Sequence, residues 1–146
     1  MPTDIVLDAL TEIQRRRQAR SSLLTFCQFV MPSFETPQHL QQLAAKLEAV
    51  ERGEIKNLLV VMPPRHGKSQ TASINFPAWY LGNHPQSQII GCSYAEGLAY
   101  AFSTAVRSII TDRPYQMLWP LKLDTAGAIR WQLANKENNR ASYIAA

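Results

Sequence analysis

Asn57-Leu58-Leu59-Val60-Val61-Met62-Pro63-Pro64-Arg65-His66-Gly67-Lys68-Ser69 is the stretch on which the reading of this chain turns. Five apolar residues, Leu58 to Met62, run straight into Pro-Pro-Arg-His and then Gly-Lys-Ser. An apolar strand, a tight loop and Gly-Lys-Ser opening a helix is the layout of a phosphate-binding P-loop. Each residue type has its own reason to be there. Gly67 lets the backbone approach phosphate oxygens with no Cβ in the way. The loop's N–H groups and the N-terminus of the next helix present positive partial charge to an anion. Pro64, Arg65, His66, Gly67, Lys68, Ser69 and Gln70 make up the expected cradle. Within it Lys68 reaches the β- and γ-phosphates, and the Ser69 hydroxyl ligates a magnesium ion. Arg65 suits charge on the γ-phosphate, with pairing to a carboxylate of the fold or of a neighbouring subunit as the alternative. His66 is read as a spacer whose backbone N–H matters and whose ring does not. One position departs from Gly-x-x-x-x-Gly-Lys-Ser: Met62 stands where the first glycine belongs.

Working outward, the run MPPRHGKSQTASINFPAWYLGNHPQSQIIGCSYAEGLA resembles the start of the large terminase subunit of tailed bacteriophages and prophages. Many members of that family carry Pro-Pro-Arg-x-Gly-Lys-Ser, so Met62 is ordinary there. Phe76-Pro77-Ala78-Trp79, Ser93-Tyr94 and the upstream Phe26, Pro32 and His39 agree with the family in order, and the resemblance covers about Phe26 onward. It implies an ATPase motor that packages double-stranded DNA into capsids in the host cytoplasm. ATP and Mg2+ would be its cofactors, and the small terminase subunit and the capsid portal its partners. It also implies that Gln38 and His39 lie near the adenine. The plainer reading of His39 is that it caps or lines the first turn of its own helix.

Composition sets bounds on all this. At 146 residues, 46% apolar and 18% charged, the chain has the make-up of one globular domain. No apolar run approaches the roughly 20 residues that span a bilayer, and the N-terminus lacks the basic-then-apolar order of a signal peptide. Cys27 and Cys92 lie far apart and without metal-ligand spacing, and are read as two buried, reduced thiols. The net charge of +4 says little alone. Its local concentration, Arg15, Arg16, Arg17 and Arg20, is read as a solvated helix end, with DNA or a neighbouring subunit as the alternative contact.

The expected fold is α/β, a P-loop NTPase of the RecA-like type. Its sheet would be mostly parallel, flanked by helices and incomplete, after an N-terminal helical segment (1–35) and within a partial ATPase domain (36–146). Helices are predicted from Thr3 or Asp4, from Ser21 to Pro32, and from a Thr36 cap with Pro37 in the first turn to a stop at Gly53. Another runs from about Lys68 to Leu81 with a kink at Pro77, and a long one from Ala95 to Ile110. Leu58–Met62 and Gln88–Cys92 are the expected parallel strands of a right-handed βαβ unit. Tyr115 to Pro120 is expected as a docked loop. Ala128–Leu133 and Ser142–Ile144 are expected as a hairpin around the polar turn Asn135–Arg140.

Hydrolysis needs an acid at the end of an apolar strand to help hold magnesium, and another group to position water. Past the loop the acids are Glu96, Asp112, Asp124 and Glu137, and none ends such a strand. The sequence therefore reads as ending ahead of the catalytic carboxylates, either as a fragment or as a truncated prophage gene, and is not expected to turn over ATP at a motor's rate. The competing readings are another P-loop nucleic-acid translocase of the helicase kind, or a non-catalytic interaction module.

Overall fold

Ser22, extended at φ −130° and ψ 126°, breaks the first helical stretch in two. The computed structural model describes residues 2–127, 129–135 and 140–146. Before the break lies α1 (Pro2–Ser21) and after it α2 (Leu23–Val30). Only the C-terminal end of α1 is drawn into the body, through buried Ala19, while Ile5, Val6, Leu7, Leu10 and Ile13 stay more than half exposed. By contrast α2 buries Leu23, Phe26, Cys27 and Phe29. Helix α3 (Gln38–Glu51) lays Leu40, Leu43, Ala44 and Leu47 on the core at the spacing of one helical face. It stops as expected at Gly53, whose φ of +76° is the left-handed turn that ends a helix. Thr36 does not cap it. The extended Pro37 leads into the helix without a side-chain cap, and the Thr36 carbonyl accepts the Gln41 amide at 2.8 Å.

After the loop the chain winds as a π-helix (Ser69–Asn75) and then α4 (Phe76–Asn83). The widened turns sit just ahead of Pro77, whose nitrogen has no proton to donate. Then come strand β1 (Gln88–Gly91) and helices α5 (Glu96–Thr111) and α6 (Arg113–Leu118). On α5 Ala99, Val106 and Ile110 are buried along one face. The segment read as a docked loop from Tyr115 is instead largely α6, opened by Asp112 accepting the Arg113 N–H. Three strands finish the chain: β2 (Lys122–Ala126), β3 (Arg130–Ala134) and β4 (Arg140–Ala145). The hairpin expected here forms as β3 and β4, paired antiparallel from Arg130↔Ile144 to Ala134↔Arg140. Ala128 and most of its polar turn (136–139) lie outside the described residues.

The mostly parallel P-loop sheet is overturned. The sheet has four strands in the order β1-β4-β3-β2, and only β1 and β4 run parallel. The other two pairings are antiparallel. Leu58–Met62 is not among its strands. It alternates as a strand would, with Leu58, Val60 and Met62 against the core and Leu59 and Val61 at 87% and 84% exposure. No backbone hydrogen bond joins it to another segment among the described residues. The expected βαβ unit therefore does not close: alternation sets which side chains face inward, whereas pairing needs a neighbouring strand. What β1 finds is β4, in the register Gln88↔Ser142 to Gly91↔Ala145.

One continuous core joins the opening helices to the sheet, from Ala19 and Phe26 through Trp79 and Tyr115 to Trp131 and Tyr143. The Trp79 indole N–H is shared between the Ala19 and Arg20 carbonyls at 3.2 and 3.1 Å, which ties α4 to the end of α1. The rings of Trp131 and Tyr143 stack at 5.2 Å across the β3–β4 pair. Among the described residues no helix is long and apolar enough to cross a membrane.

Candidate phosphate-binding site

The loop from Pro64 to Gln70 owes its shape to two residues with positive φ. Gly67 sits at φ +80° and Arg65 at +62°, and Arg65 is the one such non-glycine residue among those described. Lys68 then turns right-handed, at φ −53° and ψ −56°, and leads the π-helix. Backbone that alternates between left- and right-handed residues turns successive N–H groups into a concavity that suits an anion. Pro64 and Arg65 form a turn, and among the described residues none of the N–H groups of residues 67 to 70 donates to a backbone carbonyl; the next that does is Thr71, to Gly67 at 2.9 Å. A helix start leaves its first donors open by geometry. Here the loop ahead of it adds more.

Two histidines brace this loop. His39, on the first turn of α3, lies 3.1 Å through Nε2 from the His66 carbonyl. The His66 ring folds back so that Nδ1 lies 2.8 Å from the Pro64 carbonyl. A carbonyl only accepts, so both ring nitrogens carry the proton and both imidazoles are fixed in tautomer. The rings meet edge to face at 5.8 Å. The His66 ring, read as a spacer's, thus has contacts of its own within the loop. Beside His39, the Leu40 side chain lies under Gly67, so closely that a Cβ there would stand 2.9 Å from Leu40 Cδ1.

The predicted site residues divide accordingly. Pro64, Arg65, His66, Gly67, Lys68, Ser69 and Gln70 are brought together by the loop. The side chains of Arg65 and Ser69 are exposed and that of Lys68 is half-buried. Neither Arg65 nor Lys68 has an ion-pair partner among the described residues, so the alternative of an Arg65–carboxylate pair is not seen within this chain. Gln70 points inward instead: its amide donates to Asn75 Oδ1 at 3.0 Å, and Asn75 donates to Cys27 Sγ at 3.1 Å. Gln38 opens α3 as an exposed residue next to the bracing His39. The bracing roles of His39 and His66 escaped sequence reasoning because 27 positions separate them and no spacing rule joins them.

The cysteines also part company. Cys27 is buried and desolvation pushes its thiol up to about 12, whereas Cys92 is exposed, which corrects the expectation of two buried thiols. No group of three or more His, Cys, Asp or Glu side chains placed to hold a metal occurs among the described residues. The acids beyond the loop are occupied elsewhere or solvated: Glu96 accepts the Tyr100 hydroxyl, Asp112 caps α6, and Asp124 is exposed on β2. Glu137 lies outside the described residues. A cavity of about 770 Å³ beside β1 is lined by Ala72, Phe76, Tyr80, Ile89, Cys92 and Tyr143 among others, and by none of residues 64 to 70. Comparison of the chain with family models, curated proteins and solved structures finds no match.

Proposed function

We propose that the chain binds the triphosphate of ATP, with Mg2+, at the loop 64–70, as the nucleotide-binding part of a DNA-packaging motor of the terminase large-subunit kind. The single observation that carries the binding reading is the run of N–H groups from 67 to 70 without a backbone acceptor, following left-handed Arg65 and Gly67. Such a run, open to solvent at the start of a helix, suits anionic oxygens. Lys68, at the base of the π-helix, supplies the charge for the β- and γ-phosphates, and the exposed Ser69 hydroxyl fits a magnesium ion carried by them. Arg65 stands free to meet the γ-phosphate. The motor assignment rests on the sequence resemblance. On it, double-stranded DNA, the small subunit and the portal are partners of the whole motor.

Titration of a fluorescent ATP analogue with Mg2+ into this chain and into Lys68→Ala tests the binding reading. Saturable binding that Lys68→Ala weakens at least tenfold is expected. Equal binding by both proteins, or by neither, would sink it.

A further inference from the structure

Peptide planarity turns the two histidine braces into something more specific. In a trans peptide the C=O of one residue and the N–H of the next point in opposite directions, and no cis bond occurs among the described residues. His39 on α3 holds the His66 carbonyl at 3.1 Å. The Gly67 N–H, in that same peptide plane, therefore faces away from α3. By the same reasoning the His66 ring, holding the Pro64 carbonyl at 2.8 Å, turns the Arg65 N–H away from itself. Leu40 beneath Gly67 stops the loop from sinking onto α3.

We infer that His39 is a positioning residue for the phosphate site: it aims the Gly67 amide by anchoring the His66 carbonyl, and it does not recognise the base. The inference rests on the triphosphate reading of the loop. It reassigns His39 from the adenine to the phosphates, since its Nε2 proton is committed to the loop. The chemical class it serves is any magnesium triphosphate, with or without a nucleoside. His66 does the same for the Arg65 amide.

Inorganic tripolyphosphate has the phosphates and no base, so it separates the two roles. In His39→Phe the ring stays and the donor is lost; in His39→Gln an amide N–H of similar reach is retained. His39→Phe is expected to weaken Mg-ATP and Mg-tripolyphosphate by the same factor, roughly tenfold for one lost hydrogen bond in a braced loop. His39→Gln is expected to restore most of it. Weakening of ATP alone would return His39 to the base and overturn the inference. So would unchanged binding of both in His39→Phe while Lys68→Ala still abolishes it. If the unaltered chain binds neither ligand, the triphosphate reading itself fails. The brace is then judged without ligand: His39→Phe should move the Gly67 amide resonance and His39→Gln should leave it near its place, and an unmoved Gly67 in His39→Phe contradicts the inference.

Discussion

Asn75, at the end of the π-helix, donates its amide to Cys27 Sγ on α2 at 3.1 Å, and both residues are fully buried. Asn75 also accepts the Gln70 amide, so one buried side chain links the site-bearing π-helix to the opening helices. Replacing it by Ala strands the Gln70 donor and leaves a void. We expect Asn75→Ala to lower the unfolding free energy by about 2 kcal/mol. Urea unfolding checks it, and a change under about 0.5 kcal/mol would show the link to be idle.

Thiol chemistry should distinguish the two cysteines. Cys27 is neutral and shielded, with its thiol raised by burial to about 12, while Cys92 is exposed. Only the thiolate attacks an alkylating reagent. Iodoacetamide at pH 8 should label Cys92 alone in the native chain and both in urea, as read by peptide mass spectrometry. Native labelling of Cys27 at a comparable rate would contradict the packing of α2.

Alkaline pH should destabilise the fold. Burial raises Cys27 to about 12 from an ordinary 9.0, raises Tyr115 strongly from 10.0 and raises Tyr143 as well, so each is held neutral in the fold. An acid whose folded pKa lies above its unfolded one contributes stability that is whole below the unfolded value and lost as pH rises through the folded one. Thermal midpoints should therefore hold level up to about pH 9 and fall from there toward pH 12. A flat profile across that window would contradict the burial of these groups.

Gly82 is a sharper probe of packing than Gly67. A Cβ at Gly82 would collide with the Trp119 indole, which is itself wedged against Phe26 and Tyr115. Gly82→Ala should cost about 2 kcal/mol through overpacking and alter the near-UV aromatic signal. Gly67→Ala meets only the flexible end of Leu40, and its cost comes from the left-handed φ, about 1–2 kcal/mol. Equal near-UV spectra for Gly82→Ala and the unaltered chain would place Trp119 elsewhere.

Hydrolysis by the chain alone should fall far below a motor's rate. None of Glu96, Asp112 and Asp124 stands at the end of an apolar strand facing the loop. Phosphate release at many turnovers per second, abolished by Lys68→Ala, would reveal an acid that this reading lacks.

Most helices were legible because their apolar spacing is local: Leu40, Leu43, Ala44 and Leu47 mark the α3 face without reference to anything else. The β3–β4 hairpin was legible for the same reason, its partners lying close in sequence. The sheet's long-range order was not. Leu58–Met62 carries a strand's pattern, yet nothing in five residues states which strand will lie beside it. Strand β2, Lys-Leu-Asp-Thr-Ala, passed unseen since it is solvent-facing, bulged at Leu123/Thr125 and short of apolar residues. In the loop the residue types could be read from the motif, but the His39 brace needed the fold to bring α3 beneath it.

Amide chemical shifts test most directly whether the open N–H groups of the loop seat a triphosphate. With Mg-ATP added to the 15N-labelled chain, the resonances of Gly67, Lys68, Ser69 and Gln70 should move most and saturate together, and should stay fixed in Lys68→Ala. Saturating shifts confined to residues around the β1 cavity, with Gly67 to Gln70 unmoved, would contradict it.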